Sequence, residues 1–181
     1  MVEEIRKEAG YGGVRVIIAA ELARARCKTQ IAVGFGDEVT PAPVDSVYPV
    51  LLKEMPAPRL RTYPKYTVIA EKLHAIALLG MTNSRLKDYF DLSVLLERET
   101  LDTHLLAQAI KATFERRGMA VRDALRDGML VGLTDEFARD ASRQALWLAF
   151  LKKNELPPEP LSDVVRRLSV ALAAALNTVI R

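Results

Sequence analysis

The residues with the types and spacing for chemistry are clustered in the middle of the sequence: Lys72, Arg85, Lys87, Asp88 and Asp91. Arg85 and Asp88 are three residues apart, and Lys87 and Asp91 are four apart, so each pair shares one face of a helix. Such cations bind phosphate oxygens, and neighbouring carboxylates order their side chains. Spacing alone favours a solvated surface of ion pairs, whereas so many charges in a segment rich in Leu, Ile, Tyr and Phe favour a phosphate site.

Two helices must position these side chains. The pattern predicts one helix over residues 68–79, which carries Lys72 and ends at Gly80. A second helix over about residues 83–97 carries the other four. Because the connection GMTN is short, the helices should be neighbours. We therefore expect Lys72 and Asp88 to lie close together and to face a groove beside the amino-terminal hairpin.

The segment before these helices is predicted to be β structure. Alternating apolar residues predict strands over residues 13–22 and 28–35, joined by the turn ARAR, and the first strand is apolar enough to be central. Residues 37–66, which contain six prolines, predict an irregular connector that packs across the core. Its expected anchors are residues 50–52 and the tyrosines at positions 48, 63 and 66. Residues 1–10 are expected to form a covering helix.

After residue 67 the pattern is helical throughout. A helix is expected from Asp102 to Arg117, and a short one near residues 120–126. Thr134 should cap a single helix that continues through Leu151, and a last helix should span residues 162–180. The predicted fold class is α+β: an incomplete sheet in a domain of residues 1–66, then a helical bundle in a domain of residues 67–181.

Composition excludes several classes of protein. Half of the 181 residues are apolar and the net charge is +3, which is typical of a globular protein rather than a disordered one. No apolar run approaches the roughly 20 residues that span a bilayer, so no membrane association is expected. The single cysteine excludes an internal disulfide. Together with the lack of a signal-peptide core, it indicates that the protein is cytoplasmic.

Other candidate residues are interpreted as structural. His74 is expected to be packed or on the surface rather than a base, and His104 has no visible partner. Cys27, expected in the hairpin turn, lacks a paired histidine and should be inert. Trp147 and Phe150 are expected in the core. A further set is interpreted as a solvated strand edge rather than a nucleic-acid ribbon: Arg15, Arg24, Arg26 and Lys28.

Longer motifs connect the charged cluster to a known family. The segment YPKYTVIAEKLHAI…GMTNSRLKDYFDL, within residues 63–92, resembles the nucleotidyltransferase AbiEii/AbiGii toxin family. QIAVGFGDEVTP resembles that family's strand and turn, YGGVRVIIAAEL its preceding strand, and LWLAFLKKN, residues 146–154, a helix near its carboxyl end. The resemblance covers nearly the whole chain in patches.

This resemblance implies a small mixed sheet with flanking helices, followed by a helical domain. It implies transfer of a nucleotide from an NTP to an acceptor such as tRNA, with Mg²⁺ held by carboxylates. Matched by position, Lys72 and Asp88 would be catalytic, and Arg85, Lys87 and Asp91 would bind substrate. The implied partner is a cognate antitoxin.

The sequence departs from the family pattern in its metal-binding half. Family members carry an upstream Gly-Gly/Ser motif and an Asp-x-Asp pair, and this chain has Ala32 where the family form has aspartate. Asp37 cannot replace it, because an odd shift along a strand reverses the side-chain direction. We therefore expect no metal ligands and no catalysis by the chain alone, as in a carboxyl-terminal portion or a degenerate relative. The alternatives are a non-catalytic module that binds an antitoxin or nucleic acid, and an enzyme completed by carboxylates of a second chain.

An incomplete sheet also has an exposed edge, which templates pairing with another chain. The sequence therefore predicts a homodimer or a hetero-complex through the edge of the hairpin.

Overall fold

The computed structural model describes residues 2–5 and 12–180, with only the backbone at Ile5. The chain divides into two compact units, residues 1–38 and residues 39–181. The first unit is a sheet, and the second contains a short hairpin and the helices. The α+β fold class, with a small antiparallel hairpin sheet and several helices, is confirmed.

The first unit is a three-stranded antiparallel sheet of β1 (Val2–Ile5), β2 (Gly13–Leu22) and β3 (Ala25–Gly34), in the order β1-β2-β3. The prediction that β2 is central is confirmed. The expected helix over residues 1–10 is wrong at residues 2–5, because these extend and pair with the first half of β2. The rest of that expectation lies outside the described residues.

The hairpin turn is shorter than expected. It consists of Ala23 and Arg24 only, because Leu22 pairs directly with Ala25. Ala23 adopts φ +56°, the left-handed conformation that a tight two-residue turn requires. Cys27 therefore lies in β3 rather than in the turn, where it is exposed as a free thiol.

The prediction of an irregular connector over residues 37–66 is wrong in part. The connector contains an antiparallel hairpin of β4 (Val44–Val47) and β5 (Arg59–Thr62). The Thr40 backbone is fixed to Thr67, whose hydroxyl accepts from Thr40 N at 3.0 Å and donates to Thr40 O at 2.9 Å.

The expected anchors of this connector are also mostly wrong. Leu51, Leu52, Tyr48 and Tyr63 are exposed. Only Tyr66 packs against the core, and its hydroxyl accepts a hydrogen bond from the backbone N of residue 102 at 3.1 Å. The proline-rich backbone cannot continue a ladder across the core, so its apolar side chains remain at the surface.

Six α-helices follow in the described residues: α1 (Lys65–Leu79), α2 (Leu86–Arg98), α3 (Thr103–Arg116), α4 (Asp135–Arg139), α5 (Ala141–Lys153) and α6 (Leu161–Ile180). Gly80 ends α1 with φ +46°, and the Asp102 carboxylate caps α3 by accepting from two backbone N–H groups. None of these helices is long and apolar enough to cross a bilayer.

Two predicted helices take a different form. Residues 120–126 form a 3-10 turn (Val121–Ala124) and strand β6 (Leu125–Arg126), which pairs with β7 (Met129–Leu130) across a turn at Asp127 and Gly128. The single helix after Thr134 is broken at Asp140, which ends α4 and caps α5 by accepting from Arg143 N at 2.9 Å. Both differences arise where turn or capping residues interrupt an apolar pattern.

The core of the second unit lies among α1, α2, α3 and α6. The predicted core position of Trp147 is confirmed: it is buried, stacks on Phe150 at 5.6 Å, and donates from Nε1 to Glu159 O at 2.7 Å. The largest other fully buried side chains are Tyr89, Phe114, Phe137, Ile69, Leu73, Ile76, Leu92, Ile110, Leu130, Leu161 and Leu168. Tyr89 stacks on Phe137 at 5.2 Å and holds α2 against this core.

Gly132 lies in the 3-10 turn Val131–Leu133 and packs tightly against this core. Its carbonyl oxygen accepts a hydrogen bond from Tyr89 Oη at 2.9 Å. A Cβ there would lie 2.7 Å from Ile76 Cγ2 and 2.8 Å from Tyr89 Oη. We expect Gly132→Ala to lower the free energy of unfolding by about 2 kcal/mol. Chemical denaturation measures this against Gly12→Ala, where an added Cβ meets no atom within 4 Å. Equal, small effects of the two variants would contradict the tight packing.

Candidate functional site

The charged residues singled out in the sequence form one connected network, here called the Lys72 cluster: Lys72, Arg85, Lys87, Asp88 and Asp91. Lys72 Nζ donates to Asp88 Oδ1 at 3.0 Å and to Asp91 Oδ2 at 2.6 Å. Arg85 Nε lies 2.8 Å from Asp88 Oδ2, and Lys87 Nζ donates to Asp91 Oδ2 at 2.6 Å. The prediction that Lys72 and Asp88 lie close together is confirmed.

The helices place these side chains for simple geometric reasons. Asp88 and Asp91 are three residues apart on α2, so both carboxylates occupy one face of that helix. Lys72 reaches them from α1, which leads into α2 through a 3-10 turn (Gly80–Thr82) and the next three residues. One lysine inserted between two carboxylates therefore links the two helices, in addition to the apolar side chains that both contribute to the core.

Burial differs across the cluster. Asp88 is buried, and Lys72 exposes only 19% of its side chain. Arg85 and Lys87 expose 59% and 71% of their side chains, so these two cations face solvent over a fixed inner pair. The cluster thus combines a buried inner ion pair with two exposed cations that a ligand in solution can reach.

Electrostatics keeps the inner groups ionised. Burial opposes the charge of Lys72, but its hydrogen bonds with Asp91 and Asp88 outweigh that effect and raise its pKa above 10.5. Burial likewise opposes the charge of Asp91, but hydrogen bonds from Lys72 and Lys87 hold its pKa below 3.8. At neutral pH, Lys72 is therefore a fixed positive charge and not a general base.

The charges of the cluster do not fit a divalent metal ion. Both oxygens of Asp88 and the Oδ2 atom of Asp91 already face a cationic nitrogen within 3.0 Å. Mg²⁺ binds oxygen at about 2.1 Å, so it would have to displace these cations. Among residues 2–5 and 12–180, no group of three or more His, Cys, Asp or Glu side chains is arranged to hold a metal ion.

The cluster instead fits an anion. Three cations surround two carboxylates, which leaves one positive charge in excess. Phosphate oxygens can replace carboxylate oxygens as acceptors from Arg and Lys, because both are ionised oxygens of similar geometry. The cluster can therefore exchange an internal ion pair for a bound phosphate group.

Two residues that support this cluster were not among the candidates predicted from the sequence. The Oδ1 atom of Asn83 accepts from Arg85 N at 2.8 Å, which fixes the loop that leads into α2. Arg143 on α5 donates from Nη1 to Asn83 O at 3.2 Å, so a residue 60 positions away holds the same loop. The sequence indicates Asn83 or Ser84 as the N-cap of this helix, which is wrong, because Arg85 occupies the N-cap position and no side chain caps α2. Nothing in the sequence linked Arg143 to Asn83.

The packed position of His74, one of the two structural interpretations of the sequence, is confirmed. His74 is buried on α1, and its ring meets the Phe114 ring edge-on at 5.0 Å. Its Nδ1 lies 3.4 Å from Arg117 Nη1. Burial, aided by the Arg117 charge, lowers the pKa of His74 to about 4, so the ring is neutral at physiological pH. His104 is exposed on α3 and is not part of the Lys72 cluster.

Comparison with known proteins identifies a family. The sequence model of the family described as nucleotidyl transferase AbiEii toxin, type IV TA system, matches residues 1–174. Neither a curated protein nor a solved structure matches the chain.

Proposed function

Since this chain belongs to the AbiEii nucleotidyl transferase toxin family of type IV toxin–antitoxin systems, we propose that the Lys72 cluster binds the triphosphate of an NTP substrate. One observation carries the proposal: three cations converge on two carboxylates whose oxygens already face those cations. A triphosphate supplies the negative charge that balances the excess cation, and it needs several donors at once.

The residues take different roles in this proposal. Lys72, the innermost cation, contacts the reacting end of the triphosphate. Asp88 also belongs to the catalytic set, and its carboxylate holds Lys72 in place. Arg85 and Lys87 bind the outer phosphates, because their side chains are exposed. Asp91 orders both lysines by accepting from each of them. Such preorganised cations stabilise charge that develops on a leaving phosphate.

Nucleotide binding tests this proposal directly. We expect the double variant Arg85→Met/Lys87→Met to bind ATP, CTP, GTP and UTP at least tenfold more weakly than the wild-type chain in calorimetric titrations, because it removes the exposed cations. Lys72→Met should weaken binding further. The control is Lys65→Met, a lysine outside the cluster that pairs with Glu99 at 2.8 Å, and it should change affinity less than twofold.

Both exposed cations can be removed without opening the core, so the double variant should fold even if Lys72→Met does not. Equal affinities of the double variant and of Lys65→Met would contradict the phosphate site. No nucleotide binding by the wild-type chain would contradict it too, and would instead favour a non-catalytic module that binds an antitoxin or nucleic acid.

We also propose that transfer to an acceptor such as tRNA needs carboxylates from outside this chain. In nucleotide transfer, an acceptor hydroxyl oxygen forms a bond to the α-phosphorus, the bond to pyrophosphate breaks, and the hydroxyl proton passes to solvent. Metal ions held by carboxylates stabilise that step in enzymes of this chemistry. The cluster does not fit such an ion, and residue 32, where the family resemblance implies an aspartate, is alanine.

We therefore expect no metal-dependent transfer by the chain alone. Incubation with each labelled NTP, Mg²⁺ or Mn²⁺ and total tRNA should leave the RNA unlabelled above a blank without protein. Label that survives purification of the RNA and disappears with Asp88→Ala would contradict this expectation. The family also implies a cognate antitoxin as the partner of this chain in the cell.

A further inference from the structure

The two long strands β2 and β3 form a ribbon with two different faces. Cross-strand partners share a face, and side chains alternate between faces along each strand. The register pairs Val14 with Val33, Val16 with Ile31, Ile18 with Thr29, Ala20 with Cys27 and Leu22 with Ala25. These ten uncharged residues, here called the apolar face, therefore lie on one side of the ribbon.

The opposite side of the ribbon is polar. It carries the charged and polar residues of the two strands: Arg15, Glu21, Arg26, Lys28 and Gln30. Arg15 lies 3.8 Å from Glu3 of β1, and Arg26 lies 3.8 Å from Glu21. Because this side carries the charges of the two strands, and Arg15 and Arg26 among them each face an opposite charge, the apolar face is the side that gains from burial.

The half of the apolar face nearest the turn is nevertheless exposed, whereas Val14, Val16 and Val33 in the other half are partly buried. Ile18, Ile31 and Leu22 leave 43%, 46% and 81% of their surface accessible. An antiparallel sheet with one polar and one apolar face normally buries the apolar one. A contiguous exposed apolar patch of this kind marks an interaction surface.

We propose that this face stacks on the same face of a second copy of the chain, with the two ribbons antiparallel. Ten residues at about 3.3 Å each give a ribbon about 33 Å long, and two strands make it about 10 Å wide. Face-to-face packing of two such ribbons buries at most roughly 800 Å² in total, which is below the roughly 1,200 Å² of stable specific interfaces and in the range of weak, transient ones. The expected product is a reversible dimer.

The charges at the two ends of the ribbon favour a second copy of the chain as the partner and an antiparallel orientation of the two ribbons. The turn end is basic, with Arg24 and Lys28 in addition to the Arg26–Glu21 pair, whereas β1 at the other end carries Glu4 in addition to the Glu3–Arg15 pair. Antiparallel stacking brings the acidic end of one copy to the basic end of the other. Parallel stacking would bring like charges together, which disfavours it.

Sedimentation velocity over a range of about 1–200 μM, with reductant present, tests the proposal. The wild-type chain should shift from monomer to dimer as its concentration rises. Ile31→Lys should weaken dimer formation at least tenfold, because it places a charge in the apolar face. The matched control, Gln30→Lys, adds the same charge at the next residue on the opposite face and should dimerise like the wild type.

Four results would overturn the proposal. Three are results of the sedimentation experiment: a monomer at every concentration, equal dimerisation of Ile31→Lys and Gln30→Lys, and open-ended association without a dimer plateau. The fourth is rapid cross-linking of the dimer through Cys27 in a separate sample treated with an oxidant in place of the reductant. The last applies because antiparallel ribbons hold the two Cys27 residues about 20 Å apart. None of these outcomes depends on nucleotide binding, so the proposal stands apart from the Lys72 cluster.

Discussion

Replacing Asp88 with alanine is expected to lower the free energy of unfolding by about 3 kcal/mol. Asp88 is buried, and its carboxylate faces Lys72 at 3.0 Å and Arg85 at 2.8 Å. Its removal leaves a largely buried lysine with one carboxylate fewer. The expected loss is at the low end for a broken buried ion pair, because Lys72 keeps its bond to Asp91.

Chemical denaturation at neutral pH measures this loss. The matched control is Glu115→Ala, which breaks an exposed pair with Lys111 on α3 and should cost less than about 0.5 kcal/mol, as is usual for surface pairs. Asp88→Asn keeps the shape and should fall between the two. A loss for Asp88→Ala no larger than that of Glu115→Ala would show that the inner ion pair contributes little to the fold.

Acidification should destabilise the protein through His74. Burial and the Arg117 charge lower its pKa to about 4, whereas an unfolded histidine has a pKa near 6.5. Between these values the unfolded state binds a proton that the folded state does not, so stability is full above pH 6.5 and falls as the pH falls. The total loss from this residue approaches about 3 kcal/mol near pH 4, of which about 2 kcal/mol appears by pH 5.

Unfolding free energies at pH 7 and pH 5 test this linkage in His74→Gln and in the control His104→Gln, which alters the exposed histidine. The pH-dependent loss should shrink by about 2 kcal/mol in His74→Gln only. If His74→Gln keeps the wild-type pH dependence, the buried neutral histidine is not its source.

The sequence predicted the parts of the Lys72 cluster that depend on local geometry. Helical periodicity and the glycine at position 80 placed α1 and α2, and their short connection made Lys72 and Asp88 neighbours. Spacing alone placed Arg85 and Lys87 beside their carboxylates. These features depend on contacts between residues that are no more than about 20 positions apart in the sequence, and periodicity and capping signals describe such contacts well.

Features that depend on distant partners could not be predicted in the same way. Strand β1 forms only because β2 offers a pairing edge, and the short hairpin of β4 and β5 lies in a segment whose prolines indicate irregular structure. The bond between Arg143 and Asn83 O joins residues 60 positions apart, with no pattern to reveal it. Tertiary context overrides local propensity at such places.

Binding of a triphosphate to the Lys72 cluster is reported most directly by the Nζ resonance of Lys72. In a lysine-labelled sample, Lys72→Arg assigns that signal and Lys65→Arg assigns a reference lysine outside the cluster. Titration with inorganic tripolyphosphate should shift the Lys72 signal saturably, because Lys72 exchanges a carboxylate for phosphate oxygens, while the Lys65 signal stays in place. A Lys72 signal that does not move, or that moves no more than the Lys65 signal, would contradict a triphosphate site at this cluster.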